Sequence, residues 1–149
     1  MPDASGGIDQ PGRKLVAGDP SETLLDFRAG DLHRVRQTVS AYAHEWGVPG
    51  DRAGTLLLVA SELAVNAVRH GGGIGRLRLW RDSTGVVCEV ADRGPGLADP
   101  EQAGRTAPGP RQSGGRGLWI LRTVADDLLV VSGPDGTTVT AWVSVSWRL

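Results

Sequence analysis

A single cysteine, Cys88, stands in the 149 residues, so no internal disulfide can form. It lies in an apolar stretch and reads as a packing residue rather than a nucleophile. Lysine is almost missing: Lys14 is the only one against fifteen arginines. It falls in a tail rich in Gly, Pro and Asp, so no lysine is placed to serve a folded active site. No apolar run approaches the ~20 residues that cross a bilayer, and the first twenty residues lack the apolar core of a signal peptide. The net charge of −1 supplies no field to recruit nucleic acid or an anionic membrane. The arginines are dispersed, without the aromatic platform of a single-strand binder. His33, His44 and His70 are too scattered for a zinc site, and His44-Glu45 lacks the second histidine of a metalloprotease helix. No Ser, His and Asp trio shows itself. These absences describe a soluble cytoplasmic protein with neither nucleic acid nor membrane as a direct partner.

What is present suffices for one domain and no more. Residues 1–22 show no hydrophobic periodicity and read as a disordered tail; the single domain is expected over 23–149. A short apolar strand is expected at 23–28. Asp31 should then cap a helix through Trp46, because Leu32, Val35, Val39, Tyr42, Ala43 and Trp46 step by three and four. Gly47-Val48-Pro49-Gly50 turns the chain into a second helix, capped by Asp51 and stopped by Gly71-Gly72-Gly73. Residues 76–81 alternate polar and apolar, which predicts a strand with one wet face. A turn at 82–85 leads to a more buried strand at 86–91. The stretch 93–115 is irregular and longer than an ordinary connection, as lids and binding loops are. A helix at 117–125 and a closing hairpin, 128–132 with 137–146, complete the order β-α-α-β-β-loop-α-β-β. That order predicts an α+β, two-layer α/β sandwich: a mixed, mostly antiparallel sheet with helices on one face.

Three stretches carry chemistry. The second helix is apolar nearly all round between Leu56 and Val68, as a buried helix is. It nevertheless carries Glu62 and Asn66, which are i and i+4 and share a face. An unpartnered buried polar group costs about 2–7 kcal/mol, so something must satisfy both. At this point a cap partner or a buried water accounts for them as well as a ligand does. Asp92-Arg93-Gly94-Pro95-Gly96 ends the buried strand. Alone it reads as a turn, yet a carboxylate there can accept from adenine's exocyclic amine and would oppose guanine's carbonyl. Gly94 and Gly96 would let backbone approach a flat ring or a phosphate. Gly114-Gly115-Arg116-Gly117-Leu118 opens a helix, whose N-terminal N–H groups favour phosphate; a hinge gives the same string. It is neither a Walker loop nor a dinucleotide fingerprint.

In this order, Glu62-x-x-x-Asn66, Asp92-x-Gly94-x-Gly96 and Gly115-x-Gly117 resemble the N, G1 and G2 boxes of the GHKL, or Bergerat-fold, ATPases. The resemblance covers about 23–145. The run Ser61-Glu62-Leu63, then Asn66-Ala67-Val68-Arg69-His70-Gly71, is most similar to the anti-sigma-factor serine/threonine kinase branch, as is the run from Gly117 to Asp127. The resemblance implies ATP and Mg²⁺ as cofactors. It implies that Asn66 gives its side-chain oxygen to the metal and that Glu62 is the general base. Asp92 would bind the adenine amine. Gly94, Gly96, Gly115, Arg116, Gly117 and Leu118 would border the nucleotide, Arg69 and His70 would flank the phosphates, and 97–114 would be the ATP lid. It implies an anti-anti-sigma partner of the STAS type as the phosphorylated protein, a sigma factor as a sequestered one, and homodimers as in relatives. Two departures stand out. Val65 occupies a place where many relatives have a small hydroxyl residue, and the lid carries Arg105 and Arg111 but no lysine. An ATP-gated regulatory module with little or no transfer therefore remains beside the kinase. The detached ATP domain of a histidine kinase is the weaker alternative, for want of a phosphoacceptor helix.

Overall fold

Turn chemistry sets the first hairpin. One oxygen of Asp82 accepts the N–H groups of Thr84 and Gly85, at 2.7 and 3.0 Å, and the Thr84 hydroxyl at 2.7 Å. On either side run β2 (Ile74–Asp82) and β3 (Gly85–Asp92). The other elements are β1 (Thr23–Arg28), α1 (Leu32–Glu45), α2 (Gly50–His70), α3 (Arg116–Val124), β4 (Asp127–Gly133) and β5 (Gly136–Ser144). The structure, a computed structural model, describes residues 23–97, 104–105 and 116–147, without the side chain of Arg116. The expected tail at 1–22 and most of the expected lid lie outside the described residues.

The five strands form one sheet in the order β1-β2-β3-β5-β4. Every described pair is antiparallel, so the sheet expected to be mixed has no parallel pair among the described residues. Leu77, Leu79, Val86, Cys88, Val90, Ala141 and Val143 alternate onto the face that meets the helices, and all are buried. Cys88 sits in that core, where burial and the neighbouring Glu89 charge push its thiol far up from its ordinary value. It is chemically quiet there.

α2 lies across the sheet with α1 and α3 beside it. Leu56, Val59, Ala60, Leu63, Ala64 and Ala67 are its buried residues, a stripe at helical spacing. The expectation of burial all round needs correction: Leu58 is 39% exposed, and Leu57, Val65 and Val68 are half-buried. Two flanking helices and one sheet cover three sides of a helix, and the fourth meets solvent.

The two expected caps also differ. Asp31 accepts the N–H of Arg28 at 3.0 Å and so closes the short turn before α1, with no side-chain cap bond to α1 itself. α2 begins at Gly50 after Pro49 and has no side-chain cap; Asp51 falls inside its first turn, where a carboxylate still favours the helix dipole. α1 ends as a glycine-stopped helix does, with Gly47 at φ +70°.

The outer face of β2 is less wet than alternation implies. Trp80 packs with Val87 and Trp142 in a small second cluster. Beside it Glu89, 5% exposed, accepts from Arg78 at 3.1 Å and from the Thr140 hydroxyl at 2.9 Å. Cross-strand neighbours thus cover one another where hydropathy alone predicts hydration. No helix among the described residues is long and apolar enough to cross a membrane.

One-sided burial of α2 has a measurable consequence. In urea unfolding, Leu56→Ala should cost about 2–5 kcal/mol, while Leu58→Ala should stay within about 0.5 kcal/mol. Equal losses at both positions would mean that α2 is enclosed on all sides.

Candidate functional site

The second half of α2, the end of β3 and the first turn of α3 meet at one end of the sheet. Glu62 and Asn66 are both half-buried on α2, one turn apart. Both face Gly117. A Cβ added to Gly117 would stand 2.7 Å from Asn66 Oδ1, 3.1 Å from Asn66 Nδ2 and 3.1 Å from Glu62 Oε1. Any larger residue at 117 would have to displace the ends of these two side chains, so the distances bring the first and third motifs close together. Asn66 Nδ2 is buried and has no hydrogen-bond partner among the described residues. A native interior seldom leaves such a donor unpaired unless a water or ligand completes it.

Asp92 is tied down on one oxygen. Its Oδ1 accepts the N–H of Gly94 at 2.9 Å and that of Thr137 at 3.1 Å. Its other oxygen lies against Gly71, where any Cβ would run into the carboxylate. Gly94 completes the packing: a Cβ there would come within 2.5 Å of Gly71 Cα. Gly136 is held equally close to the Asp92 carbonyl. The carboxylate is therefore oriented by two backbone donors and a glycine floor. Farther along, the Ser132 hydroxyl accepts the Leu97 N–H at 2.7 Å and shares a 2.7 Å hydrogen bond with Thr137. Gly96, at φ +88°, packs on the Gly133 carbonyl. The β4–β5 hairpin thus anchors the residue at which the expected lid begins.

Three of these residues escaped the sequence reading. Gly71 reads only as a helix stop, and Gly136 and Thr137 only as part of a hairpin turn. Gly136 and Thr137 reach Asp92 through strand pairing between β3 and β5, and Gly71 through the packing of the end of α2 on the sheet. A triple glycine after a helix is the one signal that could have pointed to close approach.

The remaining candidates are placed less uniformly. Arg69 and His70 are exposed at the end of α2, and neither side chain forms a hydrogen bond or ion pair with a described residue. Leu118 is buried, 7% exposed, beneath the start of α3, and Gly104 packs on it. Gly115, Arg111 and the Arg116 side chain fall outside the described residues. Arg105 is exposed, and its charge, after desolvation, helps lower the pKa of Arg122. A cavity of about 690 Å³ opens beside Gly71, Gly72 and Asp92 and reaches Arg28 and Arg34. Asp92 of the second motif lines it and Glu62 and Asn66 do not, so the cavity reaches one motif and leaves the Glu62/Asn66 pair beside it.

A five-stranded open sheet with three helices on one face, and glycine turns closing on an Asp and a Glu/Asn pair, is the Bergerat ATP-binding architecture. The family of histidine kinase-like ATPase domains matches residues 25–142, and the chain belongs to it, within the GHKL superfamily. Solved structures agree in fold. A crystal structure of the RsbU and RsbW domains of Rv1364c from Mycobacterium tuberculosis is 20% identical, with a TM-score of 0.55 over 85% of this chain. The catalytic domain of histidine kinase ThkA is 16% identical at TM-score 0.52, covering 83% of this chain and 96% of its own. A blue-light activated histidine kinase from Erythrobacter litoralis is 21% identical at 0.53, over 78% of this chain and 41% of its own. The chain spans only 34% of the length of the Mycobacterium structure. A comparison with curated proteins found no match.

The glycine floor can be tested without any ligand. Gly71→Ala should cost about 1–3 kcal/mol through overpacking and move the amide resonances of Gly94 and Thr137, which Asp92 holds. Unmoved resonances would show that Asp92 does not rest on Gly71 in solution.

Proposed function

We propose that the protein binds Mg·ATP at this site and transfers the γ-phosphoryl group to a serine or threonine of a partner protein. The observation that carries the reading is the Glu62–Asn66–Gly117 contact, with a buried amide left unpaired. A carboxylate and an amide are costly to keep half-buried at the mouth of a helix unless they act on something there.

Each residue has a role in this reading. Asp92 accepts the adenine amine on the oxygen that the backbone leaves open. Gly94 and Gly96 allow the ring close to the chain, with Thr137 fixing the carboxylate from behind. The N–H groups at the start of α3, from Gly115 through Leu118, receive phosphate, with Arg116, Arg69 and His70 adding positive charge. Asn66 offers one neutral oxygen. That is a fitting donor for Mg²⁺, which keeps few protein ligands and fills its octahedron with water and phosphate oxygens. When bound, the metal would neutralise charge on the β- and γ-phosphates. Glu62 takes the proton of the attacking hydroxyl as its oxygen bonds to the γ-phosphorus and ADP leaves. The lid, 97–114, closes over the nucleotide from its anchor at Ser132 and excludes water.

The branch is that of the anti-sigma-factor kinases, with an anti-anti-sigma protein of the STAS type as the phosphorylated partner and a sigma factor as the sequestered one. The run through Asn66 to Gly71 supports it, and an RsbW domain in one structural neighbour agrees with it. The same branch supplies the cytoplasm as location and the homodimer as assembly. A second reading, an ATP-gated module without transfer, is favoured by Val65, which cannot give the hydrogen bond that a hydroxyl residue would.

Calorimetry and labelling separate the readings. ATP with Mg²⁺ should release heat on binding to the wild-type chain. Asp92→Asn should bind at least about tenfold more weakly, because two donors then face each other. Asn66→Ala should lose metal-dependent affinity. Glu62→Gln should keep affinity and lose about 10²–10⁴-fold in transfer of label to a STAS-type partner. No heat at millimolar ATP would end both readings; heat without label in any partner would leave only the module.

A further inference from the structure

At the opposite end of the sheet the chain builds a second constellation that the nucleotide reading does not use. Arg81 lies near the end of β2, and its guanidinium carbon stands 5.8 Å from the ring of Trp46 and 5.8 Å from that of Trp147. Trp46 follows α1 and is 8% exposed, braced by Tyr42 at 5.3 Å between ring centroids. Trp147 lies beyond β5 and is pinned by its own indole N–H, which donates to the Asp82 carbonyl at 2.8 Å. Three elements therefore hold one guanidinium in place. With Gly47 and Asp82 these residues line a cavity of about 460 Å³.

Arg81 is exposed and forms no hydrogen bond or ion pair with any described residue. Asp82 also lines the cavity, with its Oδ1 taking three donors in the turn and its Oδ2 buried. An arginine used only for packing gains little from an exposed aromatic contact and needs no cavity before it. Here two indoles lie within cation–π reach of the guanidinium and restrict where the planar fork can go, so part of the entropy normally lost when arginine grips a carboxylate is lost in advance. Apolar walls beside a fixed fork suit a carboxylate flanked by aliphatic groups. Trp and Arg are also the residues that most often anchor protein interfaces.

We propose that this cavity is a docking site for an acidic, apolar peptide segment of a partner protein, whose Asp or Glu carboxylate is gripped by Arg81 between Trp46 and Trp147. About sixteen residues of α2 separate this end from Asn66, roughly 24 Å at 1.5 Å per residue. A partner held here leaves the nucleotide site open. The proposal thus stands whether or not the chain transfers phosphate.

The test uses the full chain, isotopically labelled, and a blocked pentapeptide of alternating leucine and glutamate. Saturable shifts are expected at the indole N–H of Trp46 and Trp147 and at Arg81 Nε–H. The glutamine counterpart should bind about tenfold more weakly, the worth of one charge-assisted bond. Arg81→Gln should abolish the response, and Arg81→Lys, which keeps charge but not the fork, should weaken it at least about threefold. Melting curves of both variants verify folding, and their affinity for Mg·ATP should match wild type. The proposal is overturned by a flat titration up to about 10 mM peptide, a concentration that would detect a binding energy of only about 3 kcal/mol. It is overturned equally if the glutamine peptide binds as well, or if Arg81→Lys, folded, binds unchanged. Inorganic phosphate producing the same saturable shifts at equal concentration would assign the site to phosphate groups and overturn the peptide reading.

Discussion

The close approach of glycine backbone to polar side chains governs the end of the sheet that carries Asp92, Glu62 and Asn66. At Gly117 the backbone of α3 comes so near the Asn66 amide and the Glu62 carboxylate that a Cβ would crowd both. At Gly71 and Gly94 it forms the surface under Asp92. A methyl group at Gly71 or Gly94 would push apart elements that otherwise meet, and one at Gly117 would displace the Asn66 and Glu62 side chains. The same approach keeps polar groups out of water, and buried polar groups demand partners. Asp92 finds two on the backbone, while Asn66 Nδ2 finds none among the described residues. An oriented carboxylate beside an orphaned amide donor gives this end of the sheet its chemical character.

The rest of the fold serves to hold those approaches still. α2 is fixed by its stripe of six buried residues and by a clamp near its start: Arg52 donates to the Ser144 carbonyl at 2.9 Å and pairs with Asp126 at 2.6 Å. The clamp joins α2 to the end of β5 and the segment after α3. It is part exposed, so its worth as an ion pair is modest, but it sets where α2 lies along the sheet. The outer face contributes a second cluster and the Arg78–Glu89–Thr140 network, which stiffens β3 beneath the helices. β3 then delivers Asp92 to its place in register with β5. The two ends of the sheet are chemically different: one carries acid, amide and glycine, the other indole and arginine.

Much of this was legible in the residues. Period-two and period-3.6 patterns located every described strand and helix to within about two residues, because each element buries one face and the burial dictates the spacing. The caps were less legible. Asp31 and Asp51 are good cap residues by type, yet a side chain caps only where the chain enters at the right angle, and that angle comes from the sheet edge and from Pro49. Burial of α2 was overestimated at Leu58 for a related reason. Hydropathy counts apolar side chains and does not know how many neighbours will surround a helix.

Two kinds of information therefore divide this protein between them. Local chemistry written along the chain decided the order of elements, the apolar stripe of α2, the i,i+4 pairing of Glu62 with Asn66, and the turn after Asp92, since these depend only on residues a few places apart. Tertiary structure decided that Gly117 closes on Asn66 from fifty-one positions away, that Thr137 orients Asp92 across forty-five, and that Trp46, Arg81 and Trp147 stack together from three elements. Contacts of that range exist only after the sheet has paired and the helices have packed, and no property of the separate segments contains them.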